Sequence, residues 1–255
     1  MAKQASSEVV AETRSPGVLL SVDRVIADLR RGEVAMIGAE GGASILVQAA
    51  EAVTPGSLRR LEHLSGAPPG LSLTRRRAAA LGLSPIAAPI TAKVVTFELT
   101  PGIAARTVRD IADPAAAIAI KLPRPLDVPS ADLGACFSAA VELTKLARLL
   151  PAALTAPVEL KPGQAAKAWA SGENLLVVKA TDIETYQQRA ARSLRPVSQA
   201  RVPLTSAENA RIVAYRPSDG GIEHLAIIIG DPRADAPVLT RLHSECFTGD
   251  LLASL

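Results

Sequence analysis

Residues 21–49, SVDRVIADLRRGEVAMIGAEGGASILVQA, set the reading of the chain. Val22, Val25, Ile26 and Leu29 recur at the spacing of one helical face, and Gly32 ends the run. EVAMIG (33–38) then reads as a short strand, AEGGAS (39–44) as a turn and ILVQAAE (45–51) as a second strand. The turn is glycine-rich but has neither the spacing of a dinucleotide loop nor the lysine of a P-loop, so it is not a phosphate cradle. A helix feeding short strands predicts a mixed α/β layer.

The same alternation continues outward. TPGSLRRLEHL (54–64) reads as a helix capped by Thr54 with Pro55 in its first turn. Strands are expected at GLSLT (70–74), KVVTFELT (93–100), AIAIKLP (117–123) and ENLLVVKA (173–180). GIAARTVRDIAD (102–113) is helical and closes before Pro114, and SAAVELTKLARLL (138–150) is the clearest helix in the chain. Residues 1–18 carry no period and are expected to be a flexible tail, leaving 19–180 as one mixed α/β domain. TDIETYQQRAARSLR (181–195) has a thin apolar stripe, Ile183, Tyr186, Ala190 and Leu194, and residues 181–198 are expected to link two units. From about 199 the texture is β-rich: ARIVAYRP (210–217), SDGG (218–221) and EHLAIIIG (223–230) predict strand, turn and strand. PVLTRLHSE (237–245) predicts a third strand, running into a turn at Thr248–Asp250. Residues 199–255 are too few to bury much surface alone, so they form an incomplete-looking sheet domain.

Bulk properties bound the function. The chain has 255 residues, 48% of them apolar, enough for a sizeable core that must be filled by Ala, Val, Leu and Ile because aromatics make up 2%. Two cysteines, Cys136 and Cys246, make no disulfide framework, no signal peptide is visible at the N-terminus, and no apolar run reaches the roughly 18 residues that span a bilayer. A cytoplasmic protein without membrane association is expected. A net charge of +3 and an Arg75–Arg77 triplet without interleaved aromatics do not make a nucleic-acid surface; the triplet reads as a solvated helix start.

Among the polar residues, His63 sits on an amphipathic helix and His224 at a strand edge, both structural in the plainer reading. Cys136, in DLGACFSAA, has no histidine base in view, and no Ser-His-Asp arrangement can be argued. His243, Glu245 and Cys246 cluster near the C-terminus. A thiolate there suits zinc, but spacing alone shows no complete site, and a free cysteine beside polar strand-end residues remains the alternative.

RLHSECFTGD (241–250) resembles the signature of the GTP cyclohydrolase II family of riboflavin synthesis, and 200–245 resembles that family's opening strands. VDRVIADLRRGEVAMI, AAEAVTPGSLRRL and AAVELTKLARLLPAAL are similar to 3,4-dihydroxy-2-butanone 4-phosphate synthase, and 182–204 resembles the linker of bifunctional proteins that join the two. The resemblance implies a synthase-like α/β domain followed by the start of a cyclohydrolase domain. It implies that Cys246 is one of three cysteine ligands of a catalytic zinc. Arg241, Leu242, His243, Ser244 and Glu245 would line the GTP site, with magnesium on the triphosphate and a homodimeric assembly. The implied reaction is zinc-dependent opening of the guanine imidazole ring, with release of formate and pyrophosphate.

Two departures qualify that expectation. The family's further zinc cysteines, in a CDCG-like segment, are not within the 255 residues, so this segment alone is expected to bind zinc poorly and turn over no GTP. The synthase's acidic box, of the DDEDRENEGD kind, is replaced by IGAEGGASIL, where Glu40 is the sole carboxylate, and the GHTEA histidine has no counterpart in LGACFSAAVEL. The first domain is therefore read as degenerate. A non-catalytic protein that binds a partner or nucleotide is the alternative, and synthase activity the least favoured reading.

Overall fold

The computed structural model describes residues 16–83, 92–116, 130–161, 163–218, 221–233, 235–243 and 246–252. The chain divides into two compact units, Met1–Arg192 and Ser193–Leu255.

In the first unit, helix α1 (Pro16–Arg30) leads into strands β1 (Ala35–Gly38) and β2 (Ser44–Ala49). The helix begins inside the stretch expected to be a tail, with Pro16 in its first turn, where a missing N–H costs nothing. There follow α2 (Pro55–Ser65), β3 (Gly70–Thr74), α3 (Arg75–Ala80), β4 (Val94–Glu98), α4 (Ala105–Ala112) and α5 (Ala131–Leu146). The unit ends with β5 (Ala152–Pro157), α6 (Ala166–Gly172), β6 (Val177–Lys179) and α7 (Ala180–Arg192). The strand expected at 117–123 lies outside the described residues.

The six strands form one sheet in the order β4-β3-β5-β2-β1-β6, antiparallel except where β1 and β6 run parallel, Met36 beside Val177. Alternate residues feed two cores. On one face Met36, Leu46, Leu71, Leu73, Phe97 and Leu154 pack with Leu58 and Leu61 of α2 and with Val108 and Ile111 of α4. On the other, Ile37, Ile45, Val47 and Ala153 meet Val22, Val25 and Leu29 of α1, Phe137 and Leu143 of α5, and Ile183 and Tyr186 of α7. The helix expected to link two units thus contributes Ile183 and Tyr186 to the first unit's core.

Most buried polar groups of this sheet are paired, the exception among the described residues being Gln48 Oε1, whose Nε2 donates to Gly32 O at 2.7 Å. Ser72 Oγ lies 2.8 Å from Thr96 Oγ1 and 3.1 Å from Thr155 Oγ1, a hydroxyl row crossing β4, β3 and β5. Thr54 caps α2 as expected: its hydroxyl accepts from Ser57 N at 3.1 Å while Ser57 Oγ accepts from Thr54 N at 2.9 Å. The arginine triplet is not the solvated run its composition suggests. Arg75 Nε donates to Ala92 O at 2.8 Å, and Arg77 donates to Ile111 O at 2.9 Å and to Asp113 O at 2.7 Å. These guanidiniums tie α3 to neighbouring loops, filling carbonyls that would otherwise go unpaired.

The second unit holds a three-stranded antiparallel sheet, β7 (Arg195–Arg201), β8 (Ala210–Arg216) and β9 (His224–Ile229), in that order. The third strand is thus β7, from the stretch expected to link, and 237–243 form no strand. All seven β7 residues are exposed, so no apolar alternation announces it. The unit ends in a short helix, α8 (Phe247–Leu252), where a turn was expected. Among the described residues no helix is long and apolar enough to cross a membrane.

Candidate functional site

The C-terminal segment is built by α8. Asp250 N donates to Cys246 O at 2.7 Å, which opens the helix, and the Cys246 thiol accepts from Gly249 N at 3.4 Å. The sulfur thus takes the role a serine or aspartate plays at a helix start. One turn of helix carries Asp250 back to His243, whose Nε2 lies 3.4 Å from the Asp250 carboxylate. That contact orients the imidazole, the usual service of a carboxylate to a histidine. Cys246 is exposed, and so are Arg241 and His243, while Leu242 is 100% exposed. Ser244 and Glu245 lie outside the described residues. The structure therefore brings His243, Cys246 and Asp250 together; Asp250 was hidden in the sequence because Thr-Gly-Asp reads as a turn rather than a helical turn.

The fit of this segment to zinc can be tested on its donors. Zinc in a catalytic site takes three protein ligands and an open position. Among the described residues no group of three or more His, Cys, Asp or Glu side chains is placed to hold a metal ion. The donors described here do not make a zinc site by themselves. Cys136 does not fill the gap. It is fully buried in the first unit, its sulfur 3.9 Å from both Ile37 O and Ala43 O, and burial with the nearby Asp132 charge pushes its thiol up to about 11. A buried neutral thiol is a poor metal ligand.

In the first unit the β1–β2 hairpin stands where the resemblance places the synthase's acidic box. Ala39 and Ala43 close it through an N–H to carbonyl bond of 2.8 Å, and Gly42 turns it at φ 90°. Glu40 at its tip is exposed. A second carboxylate that the sequence reading missed, Asp132 in the first turn of α5, presses on the hairpin. A β-carbon added to Gly41 would lie 1.7 Å from Asp132 Oδ2. His63 is exposed on α2, and His224 is exposed on β9 opposite Tyr215.

Comparison with known proteins bears on both units. Residues 195–255 match the family model described as GTP cyclohydrolase II. The GTP cyclohydrolase-2 of Azospirillum brasilense is 46% identical over 235 residues, covering 92% of this chain and 60% of that protein. The riboflavin biosynthesis protein RibBA of Aquifex aeolicus is 29% identical, covering 92% of this chain and 65% of its own length. The chain thus spans about three-fifths of the length of these relatives. Among solved structures, RibBX of A. baumannii, a two-domain 3,4-dihydroxy-2-butanone 4-phosphate synthase, superposes with a TM-score of 0.54 at 19% identity, over 82% of this chain and 70% of that one. A magnesium complex of a single synthase gives 0.51 at 22% identity, over 66% and 96%. These likenesses are of fold alone.

The fold and the matched segment define a class: a synthase-like α/β unit followed by the opening, β-rich part of a cyclohydrolase-like unit. Within it, this chain has the bifunctional arrangement of the RibBA-like proteins and is linked at the family level to GTP cyclohydrolase II and riboflavin biosynthesis.

Proposed function

We propose that the chain serves a cytoplasmic GTP cyclohydrolase II, in which the guanine imidazole ring of GTP is opened with loss of formate and pyrophosphate. The observation that carries this reading is the 46% identity to the Azospirillum cyclohydrolase, which runs through 92% of the chain. In this reading Arg241, Leu242, His243, Ser244 and Glu245 line the nucleotide. Arg241 supplies a planar fork of donors for phosphate or guanine oxygens, and Asp250 orients the His243 imidazole through Nε2. Cys246 contributes one thiolate to a zinc site whose remaining ligands are not among the described residues, and magnesium accompanies the triphosphate. The synthase-like unit supports folding and homodimer formation rather than sugar-phosphate chemistry, because Glu40 is the sole carboxylate in the hairpin that replaces the acidic box.

The test is a graft. The 255-residue chain alone is expected to carry far less than one zinc and to release no formate from GTP. Joining it to the C-terminal part of the Azospirillum relative is expected to raise zinc to one per chain and start formate release, with Cys246→Ser abolishing both. A graft that folds but stays inactive, beside an active relative, would sink the proposal. A second reading, nucleotide binding without turnover, is favoured by the absence of a metal-binding cluster among the described residues. It predicts GTP binding by calorimetry that survives Cys246→Ser.

A further inference from the structure

A groove of about 550 Å³ lies on the first unit between α1 and the connection from α6 to β6, lined by none of the residues assigned a role above. Small-ligand sites span about 300–1,000 Å³. Its helical wall carries Arg24, Asp28 and Arg31, placed on one stripe by the i, i+4, i+7 spacing. Asp28 accepts a hydrogen bond from Arg31 Nη2. The Arg24 side chain makes no hydrogen bond or ion pair with the described residues.

The facing wall is a fixed turn. Asn174 adopts φ 55°, Leu175 N donates to Ala170 O at 2.8 Å and Asn174 N to Ser171 O at 3.3 Å. Leu176 O, one residue on, accepts from Met36 N of β1 at 2.8 Å. Left-handed backbone at a non-glycine residue is held by its surroundings. Between the walls Ala27, Leu175 and Leu176 give an apolar floor, and Ser171 and Asn174 give polar groups at the rim. The backbone of both walls is held by helix and turn hydrogen bonds without a ligand, which lowers the entropic cost of binding.

We propose that this groove binds a small organic anion, a phosphate monoester or carboxylate with an apolar body, its head on the Arg24 guanidinium and its body over Ala27 and Leu176. Arg24 and Arg31 lie two turns, about 10 Å, apart along the helix, so one head group cannot engage both. Asp28 decides which of the two stays available, and at present it holds Arg31. This gives the site a charge logic that general surface attraction lacks. Removing Arg31 frees Asp28 to pair with Arg24 one turn away, and removing the Asp28 charge leaves both guanidiniums free.

The test titrates the full 255-residue chain, labelled with nitrogen-15, with phenyl phosphate and with phenylacetate, using inorganic phosphate as a head-only control. Saturable shifts are expected at Ala27, Ser171 and Asn174–Leu176, with the tighter of the two aromatic anions naming the head group. Arg24→Gln is expected to weaken binding by about tenfold, the scale of one lost charge-assisted contact. Arg31→Ala weakens it by a smaller factor, and Asp28→Asn tightens it. Arg24 is exposed, so Arg24→Gln should fold normally, and a second variant, Arg24→Ala, checks the same loss. Absence of saturation for both anions, unchanged affinity in both Arg24 variants, or weaker binding in Asp28→Asn would overturn the proposal.

Discussion

The six-stranded sheet of the first unit is covered on both faces, and every residue of β2 is buried. In the second unit the strand β9 leaves Leu225, Ile227 and Ile229 at 55, 62 and 63% exposure. The three alternate along β9 and so share one face, opposite Ala214, Ile212 and Ala210 of β8. Two sheets in one chain thus differ in what their apolar residues touch. The first unit supplies helices for each face, whereas the described residues of the second leave one apolar face open. Both clusters of buried apolar residues lie in the first unit, so core substitutions there carry the larger expected effects.

The largest consequence is chemical. Cys246 is exposed at the start of α8, while Cys136 is buried with its thiol pushed up to about 11. At neutral pH only about one part in ten thousand of such a thiol is ionised. Labelling with a thiol reagent should modify Cys246 within minutes and Cys136 more than roughly a thousandfold more slowly, until denaturant is added. The sign of the accompanying pH effect follows from protons bound. Above pH 9 the unfolded Cys136 loses its proton while the folded one keeps it, so stability falls between pH 9 and about 11 and is unaffected below. Equal labelling rates in the native state would break the contrast.

Core substitutions come next. Phe97→Ala removes a side chain 2% exposed and should cost about 3–5 kcal/mol in urea unfolding. Ile227→Ala, the same class of change on the open face, should cost roughly 0.5 kcal/mol or less. A large loss at Ile227 would show that this face is covered in solution. Gly41→Ala places a β-carbon 1.7 Å from Asp132 Oδ2, so the half-exposed carboxylate must swing aside; the cost should be about 1 kcal/mol or less, with Asp132→Ala removing it in a double-mutant cycle. At the α2 cap Thr54→Ala should cost about 1 kcal/mol by thermal unfolding, between the core and the open-face changes.

Much of the first unit can be read from local pattern. The α1 stripe, the β1–β2 hairpin, the Thr54 cap and the β8–β9 pair each announce themselves within a dozen residues. Strand β5, AALTAP, does not: alanine has little strand preference, and both faces of the strand are buried, so no alternation marks it. Strand β7 is hidden for the opposite reason, being exposed throughout. The roles of Arg75 and Arg77 depend on carbonyls at Ala92, Ile111 and Asp113, up to 36 residues away, which no local pattern reports. At the candidate site Cys246 and His243 stood out by residue type. Asp250 and Asp132 did not, because each acquires its meaning from a helix turn or a hairpin that folding brings to it.

The parallel pairing of β1 with β6 has a consequence in time. Met36 lies beside Val177, so the free edge of one of the first strands made is closed by one of the last. About 140 residues must leave the ribosome before that edge is filled and α7 can settle on α1 and α5, and at typical elongation rates this takes about ten seconds or more. Over that interval β1 has a partner in β2 alone. The nascent chain therefore carries an open strand edge through most of the first unit's synthesis, and the second unit begins to emerge only as the first is being sealed.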